Sequence, residues 1–149
     1  MATMVGQEQE IQTLVKDLIY LEHDAIAAYD STIEKLSDGA LSSQIAEFKK
    51  DHLQHLDVLH TMAKQVGVDA PEGGDAKQML TTGKIALMQL GGDKAILKAM
   101  KTNEDDTVTA YERAAHHADA IEKSREFFAK ALADEKRHRE WMDKTAASL

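Results

Sequence analysis

A polar pattern placed twice on what should be apolar helix faces constrains this chain more than anything else in it. Glu22 and Tyr29, seven residues apart, return as Glu104 and Tyr111, and His52 and His55, three apart, return as Glu135 and His138. The offset is 82 residues for the first pair and 83 for the second. Read at helical spacing, each of these residues falls on a seam of Leu, Ile, Phe, Met and Ala. An unpaired buried carboxylate is expensive; it neutralises or recruits a partner. No Lys or Arg shares those seams nearby. Three carboxylates and three imidazoles at one depth of a core are satisfied better by divalent cations than by hydrogen bonds alone.

The same periodicity predicts four long helices, over about Gln7–Leu36, Ala40–Val66, Asp93–Ala118 and Ser124–Ala147. Ser37-Asp38-Gly39 separates the first two, and Gly67 stops the second. The links between the first and second helices, and between the third and fourth, are short, so each pair should be an antiparallel hairpin. The middle connection, about residues 68–92, holds Pro71, Gly73 and Gly74, then a short apolar helix over Ala76–Leu90 ended by Gly91-Gly92. At roughly 3.3 Å per extended residue and 1.5 Å per helical one it can travel a bundle length of about 35–40 Å. That lets the second and third long helices run parallel and sets the hairpins around a pseudo-twofold axis, which the sequence repeat would record.

At 149 residues the chain should form a single domain, 1–149. It has no Cys, which excludes disulfides, iron–sulfur clusters and thiolate metal sites, so any metal must be held by His and carboxylates. A single Pro and no strand-like alternation argue for an all-α protein. The net charge of −8 disfavours nucleic acid and anionic membranes as partners. No apolar run is long enough to span a bilayer, and Met1–Gly6 carries no basic flank leading into an apolar region, so the expected compartment is the cytoplasm.

Over nearly its whole length the chain resembles the ferritin-like superfamily, nearest the rubrerythrin-type branch and most like small bacterial ferritin-like proteins of unassigned function. Glu22 followed by Tyr29 is similar to the first-helix motif of rubrerythrins. Asp134-Glu135-Lys136-Arg137-His138 matches the D-E-x-R-H signature of di-iron carboxylate enzymes. The resemblance implies a ferritin-like four-helix bundle whose two antiparallel pairs are joined by a long crossover containing a short extra helix. It implies two divalent metal ions, iron first and zinc or manganese as alternatives, held by Glu22, His52, His55, Glu104, Glu135 and His138. Asp134 would orient His55 and Asp51 would orient His138, with Tyr29 and Tyr111 as redox residues or supports for the ligands. The implied chemistry is oxidation of ferrous iron by O2 or peroxide, or peroxide reduction, in oxidative or metal stress, by a homodimer. Three departures stand out. His52 replaces a bridging Glu; no four-Cys rubredoxin-like domain supplies electrons, so a separate donor is required; and no fifth helix suggests a storage shell.

The competing reading is a buried polar network without metal, in a non-catalytic stress or interaction bundle that carries a structural zinc or nothing. Under it His52 only hydrogen-bonds a Glu across the core, Tyr29 and Tyr111 are core residues with bonded hydroxyls, and Asp51 and Asp134 are solvated. Asp24 and Asp106 correspond between the repeats but lie off the seam, and are expected at the surface. His23, His60, His116 and His117 are expected to be exposed. Phe48, Phe127, Phe128 and Trp141 read as core or hairpin packing. Met79–Leu90 either covers the bundle or forms a dimer face, with covering preferred. No helix carries a basic polar face suited to a membrane surface.

Overall fold

A computed structural model describes residues 3–72 and 79–149. Five helices occur among them and no strand: α1 (Ile11–Lys35), α2 (Gly39–Val66), α3 (Lys84–Met88), α4 (Asp93–Ala115) and α5 (Glu122–Ser148). Local chemistry sets their ends. Asp38 caps α2 by accepting from the Ala40 N–H at 2.9 Å. Gly67 closes α2 in the left-handed region (φ 78°), and the Val68 N–H returns to the Ala63 carbonyl at 3.0 Å. Gly92, at φ 83°, turns the chain into α4.

Side-chain contacts give the direction of each helix. Ser42 bonds the Ile33 carbonyl and Lys49 pairs with Asp30, so α1 and α2 are antiparallel. Arg139 meets Asp105 and Arg125 reaches the His117 carbonyl, so α4 and α5 are antiparallel as well. The N-terminus of α4 pins the α1–α2 turn, where Asp93 accepts from the backbone N–H groups of Ser37 and Asp38 at 2.8 and 3.1 Å. α1 and α4 are therefore antiparallel neighbours, and α2 and α4 share a direction, the arrangement the long connection permits. The core between the helices is filled by Leu14, Leu18, Leu21, Ile45, Leu59, Leu97, Met100, Phe128 and Met142, all buried.

Of the helix expected over Ala76–Leu90, residues 76–78 lie outside the described residues, and one turn and a half of helix is present in the rest. What remains covers α1, with Leu80 and Leu87 buried against the core. This cover depends on polar residues of the long helices. Asp24 accepts the Met79 N–H at 2.7 Å, Asp106 accepts the Thr81 N–H at 2.7 Å, and Asn103 exchanges two bonds with the Thr82 backbone. Asp106 also accepts the Thr3 N–H at 3.0 Å and is buried, not at the surface. A covering loop must have its backbone donors satisfied, and these off-seam residues supply the acceptors.

Residues 3–8 form a second strap. Arg113 donates to the carbonyls of Thr3 and Val5, and Val5 is buried. Gly6 sits at φ 101° against the Arg113 side chain, where a Cβ would collide. His117 belongs to this strap: it bonds the Glu8 carbonyl at 2.8 Å through Nε2 and accepts the Asp119 N–H through Nδ1, and so is buried rather than exposed. α4 ends at Ala115, short of the expected Ala118, which is exposed. His116 and His60 are exposed as expected, and His23 is half-buried. Among the described residues, no helix is long and apolar enough to cross a membrane.

Candidate metal centre

Six side chains from the four long helices meet in the middle of the core: Glu22 from α1, His52 and His55 from α2, Glu104 from α4, Glu135 and His138 from α5. None is more than 1 % exposed. They form two overlapping donor groups, Glu22–His52–His55–Glu135 and His52–Glu104–Glu135–His138, each with its donor atoms within 4.8 Å of one another. His52 Nδ1 lies 2.8 Å from Glu22 Oε2, and its Nε2 lies 3.6 Å from Glu135 Oε2 and 3.7 Å from Glu104 Oε1. His55 Nδ1 is 3.3 Å from Glu22 Oε1 and 3.4 Å from Glu135 Oε1. His138 Nδ1 is 3.9 Å from Glu135 Oε2 and 4.0 Å from Glu104 Oε2. Separations of this size suit donors gathered around one ion at bond lengths of about 2.0–2.2 Å. These buried His and Glu groups can hold metal ions.

The supporting bonds cross between the two halves of the chain. His55 Nε2 donates to Asp134 Oδ2 at 2.8 Å, and His138 Nε2 donates to Asp51 Oδ2 at 2.7 Å. Each bond keeps a proton on Nε2 and turns the other ring nitrogen inward. Tyr111 donates to Glu22 Oε1 at 2.6 Å, and Tyr29 donates to Glu104 Oε1. Each Tyr thus holds the carboxylate of the opposite repeat. The sequence offered the tyrosines as redox residues, as supports for the ligands or as core residues with bonded hydroxyls, and named no partner for either hydroxyl.

Two further residues were missed. Thr107, one turn beyond Glu104, donates to Glu104 Oε2 at 2.9 Å. Arg137 bonds Asp51 at 2.7 Å and Asp134 at 3.2 Å, so one guanidinium latches both Asp–His pairs at the α2–α5 seam. The signals were present: Thr107 at i+3 of a buried Glu, and Arg137 inside the D-E-x-R-H run.

The protein supplies the charge balance unevenly. Burial opposes ionisation of Glu22, but the nearby His52 and His55 outweigh it and hold its pKa at about 2. Burial likewise opposes ionisation of Glu104, but the neighbouring Glu135 carboxyl, then His52 and His138, outweigh it and hold Glu104 well below the usual carboxylate range. For Glu135, burial and the adjacent Glu104 charge act together and push it far up. His52 would be lowered by burial but is pushed well up by Glu135 and Glu22. For His138, burial prevails and lowers it. Both Tyr hydroxyls are kept protonated by burial and by the carboxylates beside them. Among the described residues, buried side-chain polar atoms without a hydrogen-bond partner are found at His23 Nε2, outside the donor groups, and at three atoms within them. Glu22 and Glu104 are fully bonded, yet neither oxygen of Glu135, nor Nε2 of His52, has a hydrogen-bond partner. Buried polar atoms are very rarely left so, and these three point into the shared space of the two donor groups.

A family model described as "Domain of unknown function (DUF2383)" matches residues 9–117, most of the chain. The protein belongs to the DUF2383 family. The matched span holds Glu22, His52, His55, Glu104 and both core tyrosines, whereas α5, with Asp134, Glu135 and His138, lies beyond it. No curated protein matches the chain. Among solved structures, the fold of this DUF2383 protein is similar to that of "a conserved hypothetical protein, rv2844, from Mycobacterium tuberculosis". The TM-score is 0.75 and the identity 21 %, with 91 % of this chain and 89 % of the other covered.

Proposed function

We propose that this DUF2383 protein is a ferritin-like four-helix bundle that holds two divalent metal ions, iron first with zinc or manganese as alternatives. We further propose that it works as an oxidoreductase, oxidising ferrous iron with O2 or peroxide or reducing peroxide, under oxidative or metal stress. The observation that carries this reading is the bond-free Glu135 carboxylate and His52 Nε2 within a closed set of six potential ligands. A metal pair so held would supply electrons and a coordination position for O2 or peroxide.

The chain's own residues prepare that centre. Glu22 and Glu104 enter ionised, with Tyr111 and Tyr29 fixing the orientation of one oxygen on each. Asp134 and Asp51 accept hydrogen bonds from the Nε2–H groups, so His55 and His138 present Nδ1 to the interior. Phe48 against His138, and Phe127 against His55, keep water from the rings. With no Cys in the chain, electrons would come from a separate donor. The proposal includes a homodimer in the cytoplasm.

A second reading, structural zinc in a non-catalytic bundle, is favoured by one observation: all six side chains are sealed from solvent, and structural zinc sites are closed whereas catalytic ones keep a position open. Elemental and optical analysis of protein purified at native abundance separates the two. Two equivalents of iron with an absorption band bleached by reductant support the oxidoreductase. Zinc alone, with a melting temperature that chelator lowers and no redox-active band, supports the structural role. Glu104→Ala and Glu135→Ala should each lose metal; full metal content in both would end the site assignment.

A further inference from the structure

The three imidazoles of the centre are not equivalent. His55 and His138 each commit Nε2 to an aspartate on the solvent side and keep one nitrogen for the interior. His52 has no such partner. Its Nδ1 faces Glu22 Oε2 at 2.8 Å in the first donor group, and its Nε2 faces Glu135 Oε2 and Glu104 Oε1 at 3.6 and 3.7 Å in the second. Both edges of one ring thus point at interior carboxylates, and the ring belongs to both donor groups. Of its two nitrogens, only Nε2 makes no hydrogen bond. Glu135 is the other shared residue, with Oε1 toward His55 and Oε2 toward His52 and His138. Tyr29 packs on the His52 ring with centroids 4.6 Å apart, which holds the ring between the groups.

We propose that His52 is a two-sided ligand, giving one nitrogen to each of two cations, so that the centre is an imidazole-bridged pair of divalent ions and not a pair closed by carboxylates alone. The inference rests on the metal-centre reading above and adds a geometry to it. A ring coordinated through both nitrogens is an imidazolate with no N–H, so each nitrogen that carries a proton gives it up to solvent as the ion on its side binds. With metal–nitrogen bonds of about 2.0–2.1 Å on opposite sides of a five-membered ring, the ions should stand about 6 Å apart, beyond the about 3.5–4 Å of ordinary paired-metal sites. Imidazole in the shared position also favours late divalent ions such as zinc and copper over ferric iron.

The test is a crystal of the full chain grown with Zn²⁺, the ions located by anomalous scattering and their number checked by elemental analysis of the same protein in solution. The expected result is two peaks flanking the His52 ring. In His52→Glu, which offers a carboxylate at the same position, the two peaks should draw together to the shorter spacing. Two peaks within about 4 Å in the unaltered protein, or one peak bound to a single edge of His52, would overturn the bridge while leaving a metal centre in place. No peak in the core would remove both the bridge and the proposed function.

Discussion

Replacing Glu135 with methionine should reverse the order of stability of the two proteins when metal is taken away. Glu135 is buried beside the ionised Glu104, and neither of its carboxylate oxygens has a hydrogen-bond partner in the protein. A buried unsatisfied polar group costs about 1–3 kcal/mol, and methionine fills similar space without one. Part of that gain is offset, because His52 loses a carboxylate that draws positive charge to it. A net stabilisation of about 1–2 kcal/mol remains, and at about 2–4 °C per kcal/mol for a chain of this size the variant should melt a few degrees above the parent in chelator. With metal the order inverts. An ion present at 1,000 times its dissociation constant stabilises the parent by about 4 kcal/mol, roughly 8–16 °C, and the variant by far less. Calorimetry on both proteins, in chelator and in excess Zn²⁺, gives all four melting temperatures. A variant less stable than the parent in chelator, by the same margin as in zinc, would refute the reasoning. Glu135 would then be a satisfied member of a polar network, not a residue waiting for a cation.

Three further expectations are independent of that one. Asp134→Ala and Asp51→Ala should each weaken metal binding about 10–100-fold in chelator competition, because the inward nitrogens of His55 and His138 lose their orientation; unchanged affinity would deny the aspartates that role. Glu8 has its pKa raised to about 7 by burial and by Asp17. A carboxyl that binds its proton more tightly when folded makes stability fall as pH rises from about 4.5 to about 7. Glu8→Gln, able to keep the hydrogen bond to Asp17, should leave stability at pH 4 unchanged and raise it at pH 8 by about 1 kcal/mol, a value reduced for solvent screening of a half-exposed group; equal effects at both pH values would contradict the linkage. Gly6→Ala should cost about 1 kcal/mol or more and speed amide exchange at Thr3 and Val5, since the strap must leave Arg113 to admit a Cβ at φ 101°.

The sequence made the helices readable because each long one carries an apolar stripe at regular spacing, and their observed ends differ from the expected ones by a few residues. The six polar positions were readable for the opposite reason: they interrupt those stripes, and they do so twice. The straps were not readable. Nothing periodic marks Thr3–Glu8, and the acceptors that hold the loops, Asp24, Asn103 and Asp106, look like ordinary solvated residues off the seam. Their task appears only when the loop N–H groups they satisfy are in place. Asp24 and Asp106 share the 82-residue offset of the seam residues, so the repeat had marked both of them. His117 was misjudged for a similar reason, since its two ring bonds are to backbone groups of the strap and the turn.

The crossing of the supports between repeats explains why such a centre keeps its shape without any one helix owning it. Tyr29 of the first repeat holds Glu104 of the second, and Tyr111 of the second holds Glu22 of the first. Asp51 and Asp134 make the same exchange with His138 and His55. Thr107 holds Glu104 from within its own helix, but the Tyr and Asp supports all come from the opposite hairpin. The α1–α2 hairpin alone would lack the Tyr111 bond to Glu22 and the Asp134 bond to His55, and the α4–α5 hairpin would lack the Tyr29 bond to Glu104 and the Asp51 bond to His138. Docking of the two hairpins and assembly of the donor set are therefore one event, and an ion held by donors from both would staple together halves that also meet through apolar side chains, the crossed Tyr and Asp bonds, and the contacts of Asp93 and Arg137. Where the halves differ, at His52 opposite Glu135, the exact pseudo-symmetry is broken inside the donor set itself. An imidazole faces a carboxyl group across the shared space, so the two halves bring different donors to it.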